Sequence, residues 1–271
     1  MRRLDSLQSP LLAFALYGNL GEKEEFLLTL CSVIEQQEIS QEIMLPEFMR
    51  TVVADAGLQK ETMIFLSSDS EDSFLQSAVR HAKAPYMLIG DRKISYVRDA
   101  FRDVVTILEE TGADFIIEMV WHHDFGEPQP VLLSEAAFRS QQNGCEFNKF
   151  LRMDYLLANK FFRTEFLQDT DFTEDQSILS QLPQMYQVGY YQFRREYVVV
   201  YEGEEEYLDY VATRETERWL RMYVQDKSGG LKESCSIPDK KETLMKLMDY
   251  PVKKRVIESF GRYYPFCRGE R

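Results

Sequence analysis

Short apolar segments alternate with amphipathic segments along the first 120 residues of this 271-residue chain, and this alternation limits its fold more than any other feature. Residues 11–17 (LLAFALY) predict a buried strand that ends at a Gly-Asn turn, and residues 22–37 carry apolar side chains at helical spacing. Residues 41–45 predict a second strand, which Pro46 stops. Strand, helix and strand within about 35 residues favour a βαβ unit with parallel strands.

The same alternation continues beyond this first unit. Further strands are predicted at 63–68, 85–90 and 113–121, and further helices at 73–82 and 99–112. Residues 148–168 predict a helix rich in aromatic side chains, and residues 195–201 a late strand. Two amphipathic helices are predicted after residue 203. We therefore expect one α/β domain at residues 1–203, with a helical C-terminal extension at residues 204–271 packed on it.

Composition limits the partners of the chain. The 32 basic and 45 acidic residues give a net charge of −13, whereas nucleic-acid binding needs a basic surface, so no nucleic-acid partner is expected. Four scattered cysteines are typical of reduced thiols. The N-terminus lacks the apolar region of a signal peptide, and no apolar run approaches the roughly 20 residues of a membrane span. We expect a cytoplasmic protein without a transmembrane segment.

Several short motifs follow one another in a recognisable order. They are LLAFALYGN (11–19), EIMLPEF (42–48), SFLQSAVRHAKAPYMLIGD (73–91), EETGADFII (109–117), and ANKFFRTEFLQ (158–168) followed by TEDQSIL (173–179). In order and spacing they resemble the GT-A core of family 2 glycosyltransferases, which bind nucleotide sugars. The resemblance implies a GT-A-like, Rossmann-like fold: a mixed, mainly parallel sheet flanked by helices, with a helical C-terminal appendage.

The resemblance also implies roles for residues near the donor. Tyr17 and Asn19 stand where the family contacts the nucleotide, and Glu47 stands where it contacts the base. A turn after a core strand explains Tyr17 and Asn19 equally well, and Glu47 is also explained as a surface loop residue. The resemblance further implies a nucleotide-sugar donor and a glycan or glycoconjugate acceptor as partners.

The metal motif of the family is altered in this chain. Its Asp-x-Asp becomes Asp91-Arg92-Lys93, which keeps one carboxylate and replaces the second with a cation. Mn²⁺ or Mg²⁺ prefers oxygen ligands, and Asp91 can supply one. Arg92 and Lys93 would repel a metal ion, yet they could contact phosphate directly. The sequence leaves open a divalent cation at Asp91 and a metal-independent variant.

Glu174 and Asp175 match the segment that carries the catalytic base in the family. An acceptor hydroxyl is a weak nucleophile, so a carboxylate must take its proton during attack on the anomeric carbon. Asp175 is the expected base, with Glu174 beside it, and in-line attack would invert the anomeric configuration. Both carboxylates are also explained as caps of the following helix, whose first turn favours acidic residues.

Three functions remain open at this point. The first is an inverting glycosyltransferase acting alone, as a homo-oligomer or with other glycan-synthesis proteins, and the retained Glu174-Asp175 pair favours it. The second is a catalytically inactive GT-A-like domain that binds glycans or serves as a scaffold, which the replacement of a metal carboxylate by Lys93 favours. The third is an unrelated α/β binding protein, since each motif is short.

Overall fold

A computed structural model describes residues 9–122, 129–130, 156–169, 185 and 189–201. The strands in this part of the chain are β1 (Leu12–Leu16), β2 (Gln41–Pro46), β3 (Met63–Leu66), β4 (Tyr86–Gly90), β5 (Ile94–Tyr96), β6 (Phe115–His122), β7 (Gln129–Pro130), β8 (Lys160–Arg163) and β9 (Tyr191–Tyr201). The helices are α1 (Lys23–Ile34), α2 (Arg50–Asp55), α3 (Glu71–His81), α4 (Ala100–Thr111) and α5 (Thr164–Asp169), with short 3-10 turns at Leu20–Glu22 and Glu47–Met49.

The strands form one sheet in the order β3-β2-β1-β4-β8-β6-β9-β5, with β7 paired to β6. β1 is parallel to both β2 and β4, and β2 is parallel to β3. β8 is antiparallel to both β4 and β6. The predicted βαβ start and the predicted mixed sheet flanked by helices are confirmed.

The two sides of β1 face different helices. Successive strand residues point to opposite faces of a sheet. The Phe14 ring packs edge-on against Tyr96, with 5.9 Å between the ring centroids. A Cβ added to Gly18, on the same face, would lie 2.4 Å from the ring of Phe26 in α1. Tyr17 points the other way and packs against Phe74 in α3, so α1 and α3 cover opposite faces.

The helix ends follow ordinary capping chemistry. Ser70 caps α3 by accepting a hydrogen bond from the backbone N–H of Ser73, and the Ser73 hydroxyl accepts one from the backbone N–H of Ser70. Two acidic residues lie in the first turn of α3, where the helix dipole favours them. Gly112 ends α4 with φ of 65°, a left-handed conformation that costs little only for glycine. These signals are readable in the sequence, and both helices lie within two residues of their predicted bounds.

The predicted helix at 148–168 is wrong at residues 160–163, whereas residues 164–168 are helical and residues 148–155 lie outside the described part of the chain. Residues 160–163 form β8, which lies between β4 and β6. Phe161 and Phe162 are fully buried there, with Phe161 opposite Leu88 of β4. Pairing with two neighbouring strands outweighs the helical pattern that the surrounding apolar residues suggest. The helix begins only at Thr164.

A buried carboxylate closes the amino-terminal edge of the parallel strands. Glu42 is the second residue of β2, and its Oε1 accepts hydrogen bonds from the backbone N–H groups of Lys83 (2.6 Å) and Ala84 (2.8 Å). The carboxylate reaches these groups across Ala13, the residue of β1 that is paired with both Glu42 and Met87. Glu42 therefore joins β2 to the loop before β4, on the far side of β1.

Within the described residues, 9–118, 156–169, 185, 189–194 and 198–200 belong to one compact unit, which contains β1 to β5 and β8. Residues 119–122, 129–130, 195–197 and 201 belong to a second unit. The predicted boundary at residues 203 and 204, and the helical extension after it, lie outside the described residues. Within that described part, no helix has the length and apolarity needed to cross a membrane.

Candidate functional site

The order of the parallel strands creates a switch point between β1 and β4. From β1 the chain moves outward through β2 to β3, and then returns to place β4 on the other side of β1. The connections leaving the carboxyl ends of β1 and β4 therefore diverge. In open α/β sheets, ligands bind in the crevice that such a divergence opens. Leu16 and Gly90 are paired as the last residues of the two strands, so Tyr17 and Asp91 begin their loops at the same level.

Tyr17 lies in a group of aromatic rings at this edge. Its ring packs edge-on against Phe48, at 5.9 Å between centroids, and against Phe74 at 5.6 Å. Phe48 follows β2 and is 41% exposed. Aromatic faces that are part exposed and fixed by neighbouring rings can stack on a planar ligand. The structure thus brings Tyr17, which follows β1, into contact with Phe48, which follows β2.

Asn19 and Arg92 meet at one carboxylate. Asn19 caps the turn after β1, where its Oδ1 accepts a hydrogen bond from the Gly21 N–H at 2.9 Å. Its Nδ2 donates to Glu22 Oε2. The same Glu22 oxygen lies 2.8 Å from Nε of Arg92, in the loop after β4. Glu22 therefore ties the loop after β1 to the loop after β4.

A second ion pair lies beside the first. Lys93 Nζ lies 3.0 Å from Oε1 of Glu25, in the first turn of α1. A hydrogen bond from its own backbone amide, followed by the one from Lys93, lowers the pKa of Glu25. Asp91 Oδ1 accepts a hydrogen bond from the Lys93 backbone N–H at 3.1 Å. We call Glu22, Glu25, Asp91, Arg92 and Lys93 the β1–β4 ion cluster.

The ion cluster does not fit a divalent cation. Each of its carboxylates already accepts a hydrogen bond or ion pair from the protein. Arg92 and Lys93 follow Asp91 directly in the chain, so two cations lie beside its carboxylate. Within the described residues, no three His, Cys, Asp or Glu side chains are grouped so that they could hold a metal ion. Arg92 and Lys93 would repel a metal ion, and they are the groups of the cluster that could contact an anion.

Glu47 lies at the same edge, at the end of β2, but it is paired locally. Its two carboxylate oxygens accept hydrogen bonds from Arg50 Nε (2.6 Å) and Nη2 (2.8 Å). The hydrogen bonding from Arg50 lowers the pKa of Glu47. The Arg50 guanidinium also lies 4.1 Å from the centroid of the Phe65 ring. Both charged side chains are nearly half exposed, so a ligand could still reach them.

Glu174 and Asp175, the predicted base pair, lie outside the described residues. The Asn159-Lys160 step that precedes them in the sequence is described. It opens β8, which runs antiparallel to β4, so it lies near the carboxyl end of β4. From there β8 runs to the opposite edge of the sheet, where α5 follows it.

Three polar residues are buried around this start of β8, and Arg194 of β9 lies beside them. Glu118 and Lys160 are both fully buried, and Asn159 is 1% exposed. Asn159 Nδ2 donates to the Glu118 carbonyl at 2.9 Å, and Lys160 Nζ donates to Asn159 Oδ1 at 2.9 Å and to the Leu156 carbonyl. Arg194 Nη1 lies 3.5 Å from Glu118 Oε1. We call Glu118, Asn159, Lys160 and Arg194 the buried charge cluster.

Tyr96 links the two clusters. It lies in β5, just after the ion cluster, and its hydroxyl donates to the Ala158 carbonyl at 2.9 Å. Burial, and secondarily the Asp91 carboxylate, raises the pKa of Tyr96 well above its ordinary value, so the phenol stays protonated as a donor. The Tyr96 ring also packs on Phe101 in α4 at 5.0 Å. This hydroxyl fixes the segment before β8 against the loop after β4.

Replacing Tyr96 with phenylalanine should lower the free energy of unfolding by about 1–3 kcal/mol, because the buried Ala158 carbonyl loses its donor while the ring packing stays. Urea denaturation would measure the change. Tyr190→Phe is the matched control, since Tyr190 is 55% exposed and its variant should stay within about 0.5 kcal/mol of the parent. Equal stability of both variants would contradict the proposed link.

Sequence reasoning missed several residues of this site. Glu22 and Glu25 have the ordinary appearance of acidic residues near a helix N-terminus, and only the strand order brings them to Arg92 and Lys93. Phe48 lies in the short turn after Pro46, and its position in the sequence gives no sign that it contacts Tyr17. Glu118 lies inside an apolar strand segment, where a lone carboxylate is itself a signal, because buried charges need partners.

No protein-family model matches the sequence, and no curated protein matches it. Solved structures do match the fold. The S. aureus TarS 1–349 complex with UDP-GlcNAc has a TM-score of 0.52 and 15% identity, covering 91% of this chain and 83% of that one. The TarS 1–349 complex with UDP has a TM-score of 0.52 and 14% identity, covering 91% and 82%. TarS itself has a TM-score of 0.51 and 13% identity, covering 91% and 50%. The chain thus shares the GT-A-like, Rossmann-like fold of the TarS structures.

Proposed function

We propose that this protein is a glycosyltransferase that takes a sugar from a nucleoside diphosphate. The observation that carries the proposal is the switch point between β1 and β4, where Tyr17 and the ion cluster meet at the carboxyl edge of the parallel strands. The same fold binds UDP-GlcNAc in TarS. UDP-GlcNAc is therefore the first donor to test, with a glycan or glycoconjugate as acceptor.

The donor would lie across the ends of β2, β1 and β4. The base would stack near Tyr17 and Phe48, with Glu47 within reach as a hydrogen-bond acceptor. The diphosphate would lie at the ion cluster, where Arg92 and Lys93 supply positive charge. Charge accumulates on the diphosphate as its bond to the sugar breaks, so fixed cations at this place would stabilise the transition state.

The acceptor hydroxyl would be deprotonated by Asp175, with Glu174 beside it. In-line attack by that hydroxyl on the anomeric carbon, opposite the departing diphosphate, would invert the anomeric configuration. Support comes from the sequence: Glu174 and Asp175 match the segment that carries the catalytic base in family 2 glycosyltransferases. Proton removal by a placed carboxylate contributes about 10²–10⁴ to such a rate.

A second candidate function is an inactive GT-A-like domain that binds a nucleotide sugar or glycan without transfer. The pairing of Arg92 and Lys93 with glutamates favours it, because cations that are already neutralised are weaker electrophilic catalysts. This candidate predicts nucleotide binding with no turnover. The two functions therefore differ in whether the bound nucleotide sugar is turned over.

The Asp175→Asn variant should keep donor binding and lose at least 100-fold in donor turnover, because the proton acceptor is removed while the donor site is untouched. Thermal shift with UDP, GDP and CDP and their sugars measures binding without an acceptor, since a ligand that binds the folded state raises Tm. Release of nucleoside diphosphate from the donor measures turnover. Asp169→Asn, an exposed aspartate at the end of α5, is the matched control.

Full turnover in Asp175→Asn would remove that residue from the mechanism. Binding without turnover in the parent protein would favour the inactive domain. Absence of any thermal shift with a millimolar panel of nucleotides and nucleotide sugars would contradict both functions. Inversion is tested separately, by the anomeric configuration of the transferred sugar in the product.

A further inference from the structure

We infer that Arg92 and Lys93 take over the role of the divalent cation by exchanging their glutamate partners for the donor diphosphate. The inference rests on the proposed function and specifies how its donor site works. The sequence places two cations where a metal motif would have a spacer and a carboxylate. The structure adds the partners of those cations, Glu22 and Glu25.

The ion cluster is open enough for such an exchange. Its paired side chains are between 21% and 35% exposed, so none of them is sealed in the core. Ion pairs of this exposure are weak, because water screens them and ordering two long side chains costs entropy. A diphosphate presents more charge and more oxygens than a single carboxylate, and Arg binds phosphate through two parallel hydrogen bonds.

The glutamates also have a function before the donor arrives. Glu22 is fixed by Asn19, and Glu25 lies in the first turn of α1, so both are anchored to the chain that follows β1. They hold the loop after β4 against the loop after β1 while the site is empty of donor. They also oppose anion binding, because the cluster has three carboxylates and two cations. A neutral residue at either glutamate should therefore strengthen donor binding.

Tighter donor binding after a glutamate is neutralised distinguishes the exchange from ion pairs that only hold the two loops together. Glu22→Gln and Glu25→Gln should each bind UDP about two- to fivefold more tightly, because each removes the competition of a weak, part-exposed ion pair. Arg92→Gln and Lys93→Gln should each bind UDP about tenfold more weakly. Calorimetric titration of UDP into each full-length variant, with Mn²⁺ and separately with EDTA, gives the affinities. Thermal melts without ligand confirm that each variant is folded.

Lys83→Gln and Glu38→Gln are the matched controls. Lys83 and Glu38 lie in the loops before β4 and β2, at the opposite edge of the sheet, and both side chains are exposed. Each control should bind UDP as the parent does. If the controls changed the affinity as much as the cluster variants, overall charge would explain the effect and the inference would fail.

The outcomes separate this inference from the proposed function. Equal UDP affinity in Mn²⁺ and EDTA, with opposite changes in the glutamate and cation variants, supports the exchange. UDP binding that requires Mn²⁺ overturns the exchange and leaves the glycosyltransferase proposal standing. Weaker or unchanged binding in both glutamine variants also overturns it, since the ion pairs would then serve only to brace the loops. Absence of binding by UDP, GDP and CDP overturns both.

Discussion

Replacing Glu118 with leucine should lower the free energy of unfolding by about 3–5 kcal/mol, because the Arg194 cation would stay largely buried after its carboxylate is removed. The Arg194 side chain is only 12% exposed. The Arg194 guanidinium would lose the carboxylate that lies 3.5 Å from it. Chemical denaturation followed by circular dichroism measures the change.

The double variant Glu118→Leu with Arg194→Leu provides a sharper comparison. Removing both members of a buried pair costs less than removing one, since no uncompensated charge remains between them. The double variant should therefore be more stable than the two single effects predict when added. Glu110→Leu, on the exposed surface of α4, is the matched control and should change stability by less than about 0.5 kcal/mol. A loss in Glu118→Leu no larger than in this control would contradict the electrostatic account.

Replacing Gly90 with alanine should lower the free energy of unfolding by about 1–3 kcal/mol, because the added methyl group overpacks the core. A Cβ at this position would lie 2.4 Å from Cζ of Phe14 and 3.2 Å from Cδ1 of Leu16. Phe14 is fully buried beside Tyr96, so its ring has little room to move. Thermal or urea denaturation measures the loss.

The ring of Phe14 provides the control for this prediction. Phe14→Leu removes the atom that the new methyl group would strike, so the double variant with Gly90→Ala should lose less than the sum of the two single variants. A coupling of at least about 0.5 kcal/mol in that direction is expected. Strictly additive losses would show that Gly90 is needed for its backbone and not for space. Because Asp91 follows Gly90 directly, the same clash would also displace the ion cluster.

Much of the parallel half of the fold could be predicted from the sequence. The apolar residues of the first two strands and of the helix between them recur at clear spacings. Pro46 and Gly112 mark the ends of β2 and α4, which the structure confirms. Tyr17 and Asp91 could be placed at one edge of the sheet, since parallel strands share their carboxyl ends. These signals are local, so a reading along the chain recovers them.

The remaining features depend on contacts between distant segments. β8 is predicted as part of a helix because its pairing partners in β4 and β6 are distant in the sequence: even the nearest paired residues, Ile117 and Lys160, are 43 positions apart. Glu22 and Glu25 become site residues only when β1 and β4 are adjacent. Glu42 resembles an ordinary polar residue of a strand until the loop before β4 is placed beside it. The partners of these glutamates are distant in the sequence, so they can be identified only from the fold.

The two edges of the parallel strands should respond differently to ionic strength. At the amino edge, Glu42 is buried and is held by backbone N–H groups, which added salt screens little. At the carboxyl edge, the ion pairs of Arg92 and Lys93 are part exposed, so dissolved salt can screen them. The screening length at physiological ionic strength is about 8 Å. Added salt should therefore weaken the ion pairs between the loops at the site, while the hydrogen bonds of Glu42 at the other edge should change little. The ionic strength of the cell would then set how readily Arg92 and Lys93 separate from their glutamate partners.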